Sequence, residues 1–214
     1  MKTVRVFFEK TDTARYISHL DLNRAMIRAL RRAQLPLWYT EGFNRHPYVT
    51  FAAPLSLGFE GIRESMDFRL EEDMPMEEVV RRLNAVLPAG IHAVEAAEAQ
   101  MKPGDIQRAA YRLLFSCPVE LLEGMMAQDT LPVEKRTKKG GVKTLDLKPY
   151  LADIRLTASG EETTMAELTL PCGSSETLNP GLLLQALQQY SGRQDISCAV
   201  LRTQLYAQNG EEWR

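Results

Sequence analysis

Cysteine and histidine are both scarce in this chain of 214 residues, with three of each, and their scarcity removes several chemistries at once. Cys117, Cys172 and Cys198 lie far apart, with no C-x-x-C pair and no histidine at ligand spacing. That pattern argues against a zinc site, an iron–sulfur cluster or a disulfide framework, and leaves the thiols as small buried hydrophobes. Long apolar runs are missing too. No stretch approaches the ~18 apolar residues of a membrane span, and the start Met1-Lys2-Thr3-Val4-Arg5-Val6 has no run of signal-peptide length. The expectation is a protein of a reducing cytoplasm, with no membrane contact and no metal site. Nor does the chain contain a glycine-rich phosphate loop, a nucleophile elbow or an H-E-x-x-H motif.

What is present is the composition of an ordinary globular protein, 44% hydrophobic and 25% charged. The length suits one large domain or two of roughly 100 residues. A formal net charge of −2 carries no overall footprint of nucleic-acid binding, but the charges are unevenly spread. Residues 1–34 hold Lys2, Arg5, Lys10, Arg15, Arg24, Arg28, Arg31 and Arg32 against Glu9, Asp12 and Asp21, a local balance of +5, whereas residues 35–100 balance at −6.

Alternation of Val4, Val6 and Phe8 predicts a strand over Thr3–Lys10 with one well-buried face. Ser18 with Asp21 three residues on is a capping-box-like helix start. From there Leu22, Met26, Leu30 and Ala33 form a core stripe, while Arg24, Arg28 and Arg31 or Arg32 line another face. Short strands are expected at Leu35–Thr40, Tyr48–Ser56 and Ser65–Glu71, a helix at Met76–Leu87 and a strand at Ile91–Ala97. Beyond a linker at Met101–Ile106, the order nearly repeats. It comprises a strand at Ala110–Cys117, a helix at Val119–Met126, a hairpin at Leu131–Leu147, a strand at Met165–Pro171, a helix at Pro180–Gln189 and a strand at Cys198–Ala207. The expected fold is therefore α+β, two tandem ferredoxin-like (β-α-β-β-α-β) halves with antiparallel sheets, over residues 1–100 and 107–214.

Two basic clusters stand out. The helical arginines Arg24, Arg28, Arg31 and Arg32 form either a solvated face or, with no interleaved acid after Asp21, a surface whose mutual repulsion an RNA phosphate would relieve. Lys135, Arg136, Lys138, Lys139 and Lys143 surround a Gly-Gly hairpin tip in the second half, where they either discourage edge pairing or grip a phosphate backbone. His19 at the helix start and His46 before Pro47 are candidate general acid–base residues, with Asp21 or Glu41 to orient one of them; each is equally a capping or turn residue. Gly42-Phe43-Asn44 requires a tight turn, and its aromatic either stacks on a base or plugs the core. With Asn44 and Arg45, these residues form a composite candidate recognition surface.

Several motifs in order, Arg15-Tyr16-Ile17-Ser18-His19-Leu20-Asp21-Leu22, Glu41-Gly42-Phe43-Asn44-x-His46-Pro47 and Pro54-Leu55-x-Leu57-Gly58 among them, resemble the radical SAM-linked protein family, a bacterial domain of unknown function. The resemblance is dense over residues 4–71 and continues more loosely through Lys138-Lys139 and Leu145-Asp146-Leu147-x-Pro149-Tyr150. Arg45 stands where that family often has proline, and Gly58–Glu64 varies its usual Gly-x-x-Ser-x-x-Glu. The resemblance implies an accessory protein that partners a radical SAM enzyme in RNA or ribosome-related modification. The iron–sulfur cluster and S-adenosylmethionine would sit on that partner, because this chain lacks C-x-x-x-C-x-x-C and is expected to hold no cofactor. Binding of tRNA or rRNA by a non-catalytic partner is the leading expectation. The alternatives are a metal-independent endoribonuclease using His19 and His46, by fold analogy with CRISPR repeat-processing enzymes, and a protein-binding adaptor without RNA contact.

Overall fold

The computed structural model describes residues 2–136 and 140–214, the side chain of Arg136 excepted. The chain divides into two units, Met1–Gln107 with Arg202–Arg214, and Arg108–Leu201. The architecture is α+β.

The first unit begins with β1 (Lys2–Lys10), α1 (His19–Arg32), β2 (Val49–Phe51), β3 (Glu60–Leu70), α2 (Met76–Asn84) and β4 (Ile91–Glu98). Its strands run in the order β4-β1-β3, antiparallel, and β2 pairs with the far end of β3 through Val49↔Phe68 and Phe51↔Met66. Val4, Val6 and Phe8 of β1 and Met66, Phe68 and Leu70 of β3 meet Leu22, Met26 and Leu30 of α1 and Val79 and Leu83 of α2 in one core. The alternating pattern of β1 predicted one buried face. The structure buries both, since Arg5 and Phe7 are each 1% exposed. The strand expected at Leu35–Thr40 is reduced to the isolated bridges Leu37↔Leu70 and Tyr39↔Pro47. The one expected at Tyr48–Ser56 stops at Phe51, where the chain turns away and the Ala53 carbonyl instead accepts a hydrogen bond from Arg202. Strand β3 starts at Glu60 rather than Ser65, because its first half pairs with β1 down to Lys10↔Gly61.

The second unit contains β5 (Ile106–Phe115) from Arg108 onward, α3 (Val119–Met126), the hairpin β6 (Pro132–Arg136) and β7 (Val142–Asp146), β8 (Arg155–Gly160), β9 (Thr163–Pro171) and α4 (Gly181–Ser191). Its antiparallel order is β5-β9-β8, and β6-β7 form a separate two-stranded sheet. Strand β8 is absent from the sequence expectation because most of it is exposed and carries no apolar alternation. The last strand, β10 (Cys198–Ala207), contributes its residues from Arg202 onward to the first unit, where they follow β3 in the strand order.

Among the described residues no helix is long and apolar enough to cross a membrane, and no group of three His, Cys, Asp or Glu side chains could hold a metal ion. Cys117, Cys172 and Cys198 carry no disulfide. Burial pushes the Cys117 thiol up, and pushes that of Cys198 up to about 12. At pH 8 both should therefore react with iodoacetamide far more slowly than an unfolded control, as read by mass spectrometry of the labelled chain.

Candidate nucleic-acid interface

Helix α1 starts as the capping motif requires. The Ser18 hydroxyl accepts from the Asp21 amide at 3.2 Å and donates to the Asp21 carboxylate at 2.7 Å. With Leu22, Met26, Ala29 and Leu30 turned into the core, the helical period leaves Leu20, Arg24, Arg28 and Arg31 as one exposed stripe at i, i+4, i+8 and i+11. Arg24 makes an exposed contact with Asp21 at 3.3 Å. Arg28 has no ion pair among the described residues, and the Arg31 guanidinium lies 6.0 Å from the centre of the Tyr39 ring. Arg32 leaves this stripe. Its guanidinium donates to the Val86 carbonyl at 2.5 Å, just past the end of α2, where carbonyls lack helical partners.

Tyr39 links the stripe to the loop that follows. The Tyr39↔Pro47 bridge and a 2.9 Å bond from the Thr40 amide to the His46 carbonyl close the loop 41–46. Inside it, His46 Nδ1 is 2.9 Å from the Asn44 carbonyl and 3.2 Å from Thr40 Oγ1. A carbonyl only accepts, so the Nδ1 position carries a proton. Gly42 has φ +108°, a left-handed value that a side chain would strain. Phe43 is wholly exposed, and Asn44, Arg45 and His46 are exposed beside it. Arg31 thus lies over Tyr39, and Tyr39 pairs with Pro47 at the foot of the loop that carries Asn44, Arg45 and His46.

His19 is placed differently. Its ring meets the edge of Phe51 at 5.1 Å, and its Nδ1 is buried without a partner, as is Asn23 Oδ1 one turn further along α1. Among the described residues no hydrogen bond joins His19 to His46, and neither ring meets a carboxylate. Asp21, a candidate to orient a histidine, is engaged by Ser18 and Arg24.

In the second unit, Lys135 and Lys143 face each other across β6-β7. Like charges so placed repel. Lys135 is drawn aside by donating to the Thr177 carbonyl at 2.7 Å, and Lys143 is exposed. The side chain of Arg136, and Lys138 and Lys139, lie outside the described residues.

A family model for an uncharacterized protein conserved in bacteria (DUF2344) matches residues 3–180. The chain belongs to that family. No curated protein matches it. Among solved structures, a chain of a Cbf5-Nop10-Gar1 complex is similar at TM-score 0.50 and 12% identity, over 94% of this chain and 48% of the other, which is a likeness of fold. This chain spans about half the length of that one. An unknown protein from Galdieria sulphuraria matches at TM-score 0.29 and 12% identity, over 94% of this chain and 98% of the other.

Within the matched span, the glutamate of the Gly58–Glu64 segment has a role that sequence reading missed. Glu64, 5% exposed, forms a two-pronged ion pair with Arg202, which stands 138 positions away. Gly61 is needed beside it, because a Cβ there would come within 2.7 Å of the Glu64 Cγ. Lys10 is buried alongside, with Nζ 3.1 Å from the Arg15 carbonyl. Burial lowers its pKa, and the attraction of Glu64 only partly opposes that shift. A second pair, Arg5 with Asp67, is bidentate at 2.7 Å on both arms and is covered by Trp213, whose ring centre lies 3.6 Å from the Arg5 guanidinium. Arg5 stands opposite Asp67 in the β1–β3 register, which makes the two charges cross-strand neighbours.

Proposed function

We propose that this chain is a bacterial accessory protein built of tandem ferredoxin-like halves, which binds RNA, either tRNA or rRNA, and presents it to a radical SAM enzyme. One observation carries the RNA reading. The exposed stripe of Arg24, Arg28 and Arg31 runs to the loop carrying Asn44, Arg45 and His46, with no acid opposing Arg28 or Arg31 among the described residues. Guanidinium groups arrayed without counter-charges on a rigid helix suit phosphate oxygens at bidentate distance. The β4-β1-β3 order with β2 beyond β3, and β5-β9-β8 in the second unit, support the ferredoxin-like description. The radical SAM partner rests on the motif resemblance alone.

Binding to total tRNA should weaken steeply with salt. The Arg28→Gln/Arg31→Gln variant should reduce the slope of log K against log salt by about 1.4–1.8, since each lost phosphate contact contributes about 0.7–0.9. Filter binding between low and moderate salt measures this, and salt-independent or absent binding would sink the reading.

Tyr16, Leu20 and Leu57, 66%, 59% and 64% exposed, favour a second reading as a protein-docking adaptor. The first and last of these are drawn together by the 2.8 Å bond from the Gly58 amide to the Arg15 carbonyl. Co-purification of the radical SAM protein that survives nuclease and high salt, without retained RNA, would replace the first reading by this one.

A further inference from the structure

Phe43 has no place in any core. It stands fully exposed at the tip of the loop 41–46, on the far side of the left-handed Gly42. The loop beneath it is braced at three points, by the Tyr39↔Pro47 bridge, the Thr40–His46 backbone bond and the His46–Asn44 bond. A braced turn that holds a large aromatic ring in water, with no ring or cation of the described residues against it, presents that ring to a ligand. Its surroundings define the ligand's chemistry. Asn44 supplies an amide with both donors and acceptors, Arg45 a guanidinium, His46 an imidazole and Glu41 a carboxylate; Arg31, 6.0 Å from the centre of the Tyr39 ring at the foot of the loop, adds a second guanidinium. A flat π-face with two guanidinium groups in its neighbourhood matches one unit, an aromatic ring covalently tied to an anion.

We propose that Phe43 is the stacking platform for one unpaired nucleobase, whose flanking phosphates are held by Arg45 and Arg31. The inference rests on the RNA reading above and narrows its substrate class to single-stranded or looped RNA, because a base inside a duplex offers no free face to a protruding ring. Stacking of this kind tolerates any base, so the site selects for lack of pairing rather than for sequence.

The test uses the full chain, an oligouridylate of about 12 nucleotides, and a blunt RNA duplex of the same length. Phe43→Ala should weaken binding of the single strand by about 5- to 150-fold, the range for loss of one stacked base, with the salt slope unchanged. Duplex binding should be unaffected. Phe43→Trp should retain affinity for the single strand, and its added indole emission should be quenched on binding. Because the ring is bare, the melting temperature of both variants should equal that of the parent, which separates a lost contact from a lost fold. Wild-type affinity of Phe43→Ala for the oligouridylate, or equal weakening on strand and duplex, would overturn the stacking role while leaving RNA binding intact. Failure of the parent chain to bind either RNA would overturn the RNA reading and this inference together. Loss of a protein partner, but not of oligouridylate, in Phe43→Ala would assign the ring to protein docking and overturn the inference.

Discussion

Glu64→Leu is expected to cost about 3–5 kcal/mol of unfolding free energy, because it removes the carboxylate that the buried Arg202 guanidinium grips with both arms. In water the two charges gain little from meeting. Inside the first unit, both are nearly inaccessible, with side-chain exposures of 4% for Arg202 and 6% for Glu64, so removing Glu64 takes a full negative charge from beside a desolvated guanidinium. Arg202 keeps its bond to the Ala53 carbonyl, but a neutral oxygen is a poor substitute for a carboxylate. The Glu64→Leu/Arg202→Met double variant removes both charges, and should recover most of the loss. Recovery should be incomplete, because Lys10 remains buried beside the site.

Lys10 also gives the single variant a pH signature. Its folded pKa already lies below the ordinary 10.5, with burial the largest cause and the attraction of Glu64 raising it. Removing Glu64 pushes it lower still. Between the folded value and the unfolded one, the unfolded chain binds the proton more tightly, so stability rises with pH there. The deficit of Glu64→Leu should therefore shrink from neutral towards alkaline pH. Urea unfolding of parent and variants at two pH values, followed by far-ultraviolet circular dichroism, measures both effects. A deficit under about 1 kcal/mol, the range of exposed pairs, would mean that the pair is hydrated rather than buried.

Trp213→Ala should cost a comparable amount, about 3–5 kcal/mol, the range for emptying a buried aromatic site. The indole is 1% exposed. It meets Phe7 edge-on at 6.4 Å and covers the Arg5 guanidinium at 3.6 Å, and its Nε1 donates to the Lys102 carbonyl at 3.4 Å. Its backbone amide donates to Leu205, and the Arg214 carbonyl accepts from Met101, so the end of the chain is tied across the sheet face opposite the helices. Removing the ring opens a cavity and admits water to the Arg5–Asp67 pair. Trp213→Phe, which keeps most of the volume but loses the indole N–H, should cost under half as much. The same unfolding assay decides it, and equal losses for both variants would assign the stability to the indole hydrogen bond instead of to packing.

How far the chain could be read in advance depended on how local each cause was. Helix α1 was legible to within a residue or two, because Ser18, Asp21 and the spacing of Leu22, Met26 and Leu30 act within a few turns of one another. Helix α3 and strand β10 matched their expected spans for the same reason. Strand β8 escaped notice because an exposed edge with small polar residues has no period to detect. The segments around Trp38 and Tyr48 looked like full strands, yet their side chains serve another contact: Arg69 lies over both rings, at 5.2 and 4.4 Å, and ladder pairing there is short. Of the residues named from sequence, Arg31 lies over Tyr39, His46 bonds to the Asn44 carbonyl, Arg32 turns to the end of α2, and His19 packs on Phe51.

The amino-acid sequence by itself determined that a capped helix presents a row of arginines and that Gly42 opens a tight turn, since helical period and backbone freedom are properties of neighbouring residues. Only the tertiary structure decided that Glu64 answers to Arg202, that Trp213 roofs the Arg5–Asp67 pair, and that Phe43 is left bare. Burial of a charge or a ring depends on what arrives from distant parts of the chain, and no local pattern encodes which partner that will be.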